Sequence, residues 1–130
     1  MNHTATLLPS GKVLVTGGTD GTSTLATAEV YDPTGDAWTP VASLSTPRQF
    51  QVAQILSSGT VLVVGGLNDT SSAVFGVSSS EVYDPVANSW SAAGSMNIAR
   101  QHFILSGLGD GRVILDGGTP NAPGLPEFYR

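Results

Sequence analysis

The feature that most constrains this chain is an internal repeat. An apolar run that ends in a glycine doublet occurs three times without gaps, at residues 11–18, 59–66 and 111–118. A second motif, Glu-Val-Tyr-Asp-Pro, occurs at 29–33 and 81–85, with a partial copy at 127–129. A repeat of this kind is one supersecondary unit that stacks on its neighbours to bury its apolar faces. The chain is therefore predicted to form an array of similar units.

The spacing of these motifs places all length variation in one connection of the unit. Tyr31 and Gly65 are 34 positions apart, as are Tyr83 and Gly117. From the first glycine of each doublet to the following Glu, however, the distance is 12, 16 and then 10 positions. We therefore expect a scaffold of fixed length that carries one variable connection per unit.

Each unit is predicted to contain four short strands. The first strands are expected at 4–8, 52–56 and 102–105, and the second are the apolar runs before the glycine doublets. Ser-Gly or Asp-Gly pairs between them are typical of tight hairpins. The third strand is the Glu-Val-Tyr segment, which the following Asp-Pro ends because proline cannot continue a hydrogen-bonded ladder. The fourth is centred on Trp38 or Trp90, so an all-β fold of eleven strands is expected.

This pattern resembles the kelch repeat of β-propellers, in the bacterial form related to the galactose-oxidase propeller. The resemblance covers essentially the whole chain. It implies four-stranded antiparallel blades at 3–47 and 48–99 and an incomplete third blade at 100–130, which lacks its fourth strand. The glycine doublets are expected to permit close approach of blades or unusual backbone angles. The Tyr and Trp residues are expected to pack between blades, with their polar tips hydrogen-bonded.

The number of predicted blades leaves three interpretations open. The first, which we favour, is that residues 1–130 form part of a longer propeller. The second is a half-ring that a second copy completes as a homodimer. The third is an open monomer, whose exposed sheet edges invite self-association.

Composition excludes several classes of protein. Only 12% of the residues are charged and 40% are hydrophobic, which is too apolar for a disordered chain. A net charge of −5 with scattered cations argues against nucleic-acid binding, which requires clustered Lys and Arg. No apolar stretch approaches the length of a membrane helix. No N-terminal signal peptide is visible, and nothing in the sequence indicates a compartment.

The residues that could carry chemistry indicate no catalytic site, metal site or cofactor. Asp32 and Asp84 precede prolines at equivalent repeat positions and are interpreted as turn caps. His3 and His102 do not occupy equivalent positions, so a dedicated metal site is not expected. The copper enzymes related to galactose oxidase use a Tyr–Cys crosslink, which a chain without cysteine cannot form.

Binding specificity is expected in the variable connections between the second and third strands, at 19–28, 67–80 and 119–126. Loops of variable length on a fixed scaffold commonly carry binding. The longest of them supplies Asn68, Asp69 and Phe75 as candidate binding residues, although Phe75 could instead pack on its own blade. Arg48 and Arg100 precede the first strands of their blades and either bind a partner at the rim or brace neighbouring loops.

The sequence as a whole predicts a non-catalytic kelch-type module that recognises a protein or a carbohydrate. The alternative is a portion of a galactose-oxidase-like or sugar-processing propeller enzyme whose catalytic residues lie outside these 130 residues.

Overall fold

A computed structural model describes residues 1–68, 76–119 and 127–129 of the chain, with the backbone alone described at 119 and 127–129. Within these ranges the chain forms eleven strands in three antiparallel sheets, so the all-β prediction is confirmed. The described part of the chain contains no helix that is long and apolar enough to cross a membrane.

Each sheet is a meander in which consecutive strands pair with one another. The first sheet consists of β1 (Thr4–Leu7), β2 (Val13–Thr16), β3 (Ala28–Asp32) and β4 (Ala37–Val41). The second consists of β5 (Val52–Ile55), β6 (Val61–Val64), β7 (Ser80–Asp84) and β8 (Ser89–Ala93). The third consists of β9 (Gln101–Gly107), β10 (Val113–Thr119) and β11 (Glu127–Tyr129).

The predicted tight hairpins connect the first two strands of every sheet. In each turn the glycine N–H donates to a carbonyl three residues earlier, at 2.9 Å from Gly11 to Leu8 and from Gly59 to Leu56. The equivalent bond from Gly111 to Leu108 is 3.1 Å. The ranges predicted for β1 and β5 were one residue too long at their C-terminal ends, whereas β9 extends beyond the predicted range 102–105 at both ends.

The hydrophobic core lies between the sheets. All four residues of β6 are buried because this strand has a neighbouring sheet on both faces. Val61 and Val63 face the first sheet, and Leu62 and Val64 face the third. A continuous apolar run is therefore required here, in place of the alternating pattern of a half-exposed strand.

The inner strands β1, β5 and β9 bring the three sheets together. β1 lies against β5, and β5 lies against β9. The outer strands of neighbouring sheets make no comparable contact in the described ranges, so the sheets diverge outwards. This is the arrangement of consecutive blades in a propeller.

The glycine doublets serve both of the purposes predicted for them. Gly65 has a φ of 65°, and a Cβ atom there would lie 2.8 Å from the carbonyl oxygen of Arg100 in the next sheet. The N–H of Gly66 donates to that same carbonyl at 2.8 Å. The doublet therefore joins two sheets through a backbone contact that a side chain would prevent.

The Tyr–Trp pair fills the space between sheets only where a neighbouring sheet is present. Tyr83 is buried, its ring centroid lies 5.1 Å from that of Trp90, and the Trp90 Nε1–H donates to Ala42 O of the first sheet at 2.6 Å. The equivalent Trp38 is 55% exposed, although it stacks on Tyr31 at 5.0 Å. The expected packing between blades is thus confirmed for Trp90 and not met at Trp38, because no described sheet covers that face.

Candidate functional site

One residue at the start of each inner strand has a left-handed backbone conformation. The φ angles are 60° at Asn2, 55° at Phe50 and 54° at His102, and the three occupy the same repeat position. For a residue with a Cβ atom this conformation costs about 1–2 kcal/mol, and a bulky ring there is unusual. Its recurrence in all three sheets shows that the scaffold imposes it.

Backbone hydrogen bonds around Phe50 hold this conformation in place. The Phe50 N–H donates to Asn2 O at 3.1 Å, and Gln49 exchanges two 2.8 Å bonds with Leu67. These bonds fix the main chain but do not require an aromatic side chain. Glycine would adopt this conformation with less strain than Phe50 or His102.

The two rings form an aromatic pair at the inner ends of the second and third sheets. The Phe50 and His102 ring centroids are 4.7 Å apart with an interplanar angle of 47°. His102 is exposed and Phe50 is half-buried, so one side of the pair faces solvent. We call this surface, formed by Asn2, Gln49, Phe50 and His102, the inner mouth.

The inner mouth is hydrogen-bonded to the variable connections. The Asn2 Nδ2–H donates to Gln49 Oε1 at 3.1 Å, and the Gln49 Nε2–H donates to Thr24 Oγ1 at 3.1 Å. Thr24 belongs to the 19–28 connection, and Leu67, which pairs with Gln49, begins the 67–80 connection. The mouth therefore adjoins the loops in which the sequence predicted specificity.

The 19–28 connection is internally ordered by a carboxylate. Asp20 Oδ1 accepts the N–H groups of Thr22 at 2.8 Å and Ser23 at 2.7 Å. These two hydrogen bonds, Ser23 first, lower the pKa of Asp20 below its ordinary value. The exposed Asp20 thus acts as a turn cap that shapes the loop.

Arg48, a predicted binding residue, is 0% exposed. Its guanidinium donates to Gly65 O, Ser79 O and, at 3.0 Å, to the buried Glu81 carboxylate. Desolvation lowers the pKa of Arg48, and the Glu81 charge opposes that shift. This corrects the binding role considered for Arg48: the side chain is enclosed and braces its own sheet, as the second of the two interpretations proposed.

Arg100 occupies the equivalent place in the third sheet. It is buried, and its Nη1 donates to Gly117 O at 2.8 Å, as Arg48 does to Gly65 O. A buried guanidinium on a backbone carbonyl does not reach a ligand at the rim, so the binding role is corrected here as well.

The remaining predicted binding residues lie in or next to the 67–80 connection. Asn68 is exposed and directly follows Leu67, close to the inner mouth. Asp69 and Phe75 lie outside the described residues, so their predicted roles stay predictions. The 119–126 connection lies almost entirely outside the described ranges as well.

The opposite end of the molecule holds an open groove of about 960 Å³ between the first two sheets. Its carboxylates are already engaged: Asp32 accepts Thr34 N–H and pairs with Lys12 at 3.0 Å, and Asp84 accepts Val86 N–H. The Lys12 ammonium, followed by the Thr34 N–H, lowers the pKa of Asp32. The interpretation of Asp32 and Asp84 as turn caps is confirmed, and the groove offers a ligand few unused polar groups.

The described residues offer few donors for a metal ion. Within the described ranges no three His, Asp or Glu side chains come together in a group that could hold a metal ion. Copper prefers several imidazole or thiolate donors, whereas this chain has two histidines and no cysteine. The described residues therefore do not fit a copper centre of their own.

Comparison with known proteins identifies the family. The kelch motif model matches residues 3–45 and 57–97, which is more than half of the chain, and the chain therefore belongs to the kelch-motif family. No curated protein matched it.

Many solved structures share the fold, with 142 matching chains. One of them is described as a novel fungal alcohol oxidase with catalytic diversity among the AA5 family, in complex with copper. It is 21% identical to this chain with a TM-score of 0.82, and the match covers 91% of this chain but 27% of the oxidase. This likeness shows a galactose-oxidase-like propeller fold, and this chain spans about a quarter of the oxidase.

The inner mouth was not among the sites predicted from the sequence. The sequence does contain a signal for it. Phe50 and His102 are 52 positions apart, the same spacing as Arg48 and Arg100, so the two rings occupy equivalent positions of neighbouring units. Two rings at equivalent positions of neighbouring units predict stacking across the unit boundary. The left-handed backbone that makes these positions unusual has no mark in the sequence, since the residue there is never glycine.

Proposed function

We propose that this chain is a non-catalytic kelch-type binding module whose inner mouth and adjoining variable connections recognise a neutral ligand, of which a carbohydrate fits best. The observation that carries this proposal is the tilted aromatic pair of Phe50 and His102 on strained backbone. A scaffold that tolerates such strain in rings at two equivalent positions favours a role for the rings themselves.

The chemistry of the mouth supports a carbohydrate. Ligand sites combine an apolar or aromatic surface with a few convergent polar groups that fix orientation. The ring pair supplies the first, and the amides of Asn2 and Asn68 with the hydroxyl of Thr24 supply neutral donors and acceptors close by. Arg48 and Arg100, which lie two residues before the two rings, are enclosed and do not add charge to this surface.

The test is saturation-transfer NMR of the 130-residue chain with a panel of neutral mono- and oligosaccharides. We expect saturation on the ring protons of at least one sugar, and about a 3- to 10-fold loss of affinity in Phe50→Ala, the scale of one aromatic contact. The matched control is Val86→Ala, which is exposed at the opposite end and should leave binding unchanged.

A second pair of variants separates the mouth from the connections. Replacing residues 69–75 by a short Gly-Ser linker retains Leu67 and the buried Val77, so folding is expected to survive. If the linker variant changes which sugars bind, while Phe50→Ala lowers the affinity for every sugar, the connections set specificity. Absence of binding to the whole panel, with binding of a protein at the same mouth, would overturn the carbohydrate assignment.

The second candidate function, part of an alcohol oxidase, rests on the fold likeness to the copper-containing enzyme. Because the described residues do not supply a copper donor set, the metal ligands would come from outside them. Calorimetric titration of the chain with Cu²⁺ tests whether these residues contribute a ligand to such a site. Stoichiometric binding that His102→Gln abolishes would favour the oxidase, whereas the absence of any binding that depends on His102 would favour the binding module.

A further inference from the structure

Gln49 holds the polar groups of the inner mouth in place. Its side chain is buried, and its main chain is fixed by the two hydrogen bonds that it exchanges with Leu67. The side-chain amide joins two parts of the mouth, because Oε1 accepts from Asn2 Nδ2 at 3.1 Å and Nε2 donates to Thr24 Oγ1 at 3.1 Å. One enclosed amide therefore connects the residue before β1 to the 19–28 connection.

These two bonds leave an acceptor on Asn2 and a donor on Thr24. Asn2 donates through Nδ2, so its Oδ1 keeps its lone pairs, and no residue in the described part of the chain donates to it. Thr24 Oγ1 accepts the Gln49 N–H, so its own O–H needs another acceptor, and the described residues provide none. Asn2 is exposed and Thr24 is half-buried, which leaves both groups open to a ligand.

The opposite character of the two groups follows from the chemistry of an amide. A carboxamide accepts at one end and donates at the other, so two partners that bind its two ends play opposite roles towards it. Each partner then presents the complementary atom outwards, which is an amide oxygen at Asn2 and a hydroxyl hydrogen at Thr24. A carboxylate in place of Gln49 would accept at both ends and would turn the Thr24 O–H inwards.

The acceptor and the donor adjoin the aromatic pair of the mouth. The Phe50 N–H donates to Asn2 O at 3.1 Å, and Gln49 directly precedes Phe50 in the chain. The Phe50 ring in turn packs on His102, with 4.7 Å between the ring centroids. An aromatic surface is thus combined with two polar groups whose directions are fixed before a ligand arrives, which lowers the ordering cost of binding.

We propose that Gln49 is the positioning residue of the inner mouth, and that it selects a sugar ring with one hydroxyl that donates to Asn2 Oδ1 and another that accepts the Thr24 O–H. This inference rests on the carbohydrate function proposed above and adds the role of each sugar hydroxyl. A hydroxyl can both donate and accept, whereas a carboxylate only accepts and an ammonium only donates. A neutral sugar therefore satisfies both groups, and a simple ion satisfies one of them.

The test uses the methyl glycosides of glucose, galactose and mannose, each with its monodeoxy and monodeoxyfluoro derivatives, titrated by NMR against the 130-residue chain. A fluorine atom accepts a weak hydrogen bond and cannot donate one. At the hydroxyl that accepts from Thr24, the fluoro sugar should therefore bind more tightly than the deoxy sugar. At the hydroxyl that donates to Asn2, both derivatives should bind about 3- to 10-fold more weakly than the parent, the scale of one hydrogen bond.

Two variants assign the first of these hydroxyls to Thr24. Thr24→Val removes the donor, and Gln49→Glu turns it away from the ligand, so each should abolish the difference between the fluoro and deoxy sugars at that hydroxyl. Gln49→Glu buries a charge. Thr24→Val keeps the shape of the side chain and supplies the same readout if Gln49→Glu does not fold. The matched control is Thr39→Val, exposed on β4 beside the groove at the opposite end, which should leave the difference unchanged.

The outcomes separate this inference from the proposed function. A fluoro–deoxy difference at one hydroxyl that Thr24→Val abolishes supports the inference. Binding without such a difference, or a difference that persists in Thr24→Val, overturns the inference and leaves the carbohydrate function intact. Absence of binding to all three glycosides also overturns the inference, which requires a single ring to meet both groups. Only absence of binding to the wider panel of mono- and oligosaccharides overturns the carbohydrate function itself.

Discussion

The two tryptophans provide a matched pair of probes, because they share a repeat position and differ in what covers them. Trp90 packs on buried Tyr83 and its Nε1–H donates to Ala42 O of the first sheet, while Trp38 packs on Tyr31 with 55% of its surface exposed. Truncating a buried Trp costs about 3–5 kcal/mol, and we expect the lower end for the half-buried Trp90→Ala. Trp38→Ala loses mainly one ring contact, about 1 kcal/mol.

Urea unfolding followed by far-ultraviolet circular dichroism measures this difference, at low protein concentration so that association does not contribute. A gap of about 2 kcal/mol corresponds to midpoints separated by about 1 M urea. Trp90→Phe keeps a ring and loses the hydrogen bond, so it should cost about 1 kcal/mol beyond Trp38→Phe. Equal losses for Trp38→Ala and Trp90→Ala would refute the argument that contact with the neighbouring sheet sets the contribution of this residue.

Three further predictions test the buried Arg48–Glu81 pair, the Asp32 turn cap and the left-handed backbone at His102. Arg48→Ala should destabilise the fold by about 3–5 kcal/mol because it leaves the buried Glu81 carboxylate unpaired, and a urea midpoint near that of the native chain would contradict this. The lowered pKa of Asp32 means that its stabilisation is complete above its ordinary value of 3.8 and is lost as pH falls further, so Asp32→Asn should flatten the acid side of a stability–pH curve. His102→Gly should leave the free energy of unfolding unchanged or raise it by up to about 1 kcal/mol, because glycine adopts the left-handed conformation without strain. The control Ser106→Gly in the same strand should lower it by about 0.5–1 kcal/mol. Equal losses for the two variants would show that position 102 is not strained.

Much of the fold could be predicted from the sequence because its constraints are local or periodic. A tight hairpin requires glycine at a fixed place, and the pairs at 10–11, 58–59 and 110–111 are such turns. Asp followed by Pro both caps a turn and ends a ladder, and Asp32 and Asp84 do so in the structure. The continuous apolar run of β6 indicated a strand covered on both faces, which it is.

The candidate site was less predictable because its determinants are three-dimensional. The sequence left Arg48 with two roles, and the structure decides between them because Glu81 and two backbone carbonyls converge on its guanidinium. Nothing local marks Phe50 as left-handed, since the conformation is imposed by hydrogen bonds to Asn2 and Leu67 from distant parts of the chain. The predicted connections and the mouth adjoin, but only the fold brings them together.

The sequence by itself determined the repeating strand pattern, the position of the first hairpin of each unit and the place where length can vary, because each depends on residues close together in the chain. The tertiary structure decided which copies of a repeated residue are buried. Trp38 and Trp90, or Asp116 and Val64, occupy equivalent positions, yet one of each pair is exposed and the other lies between sheets. The physical reason is that burial depends on the neighbouring sheet, and that neighbour is set by where a unit stands in the array.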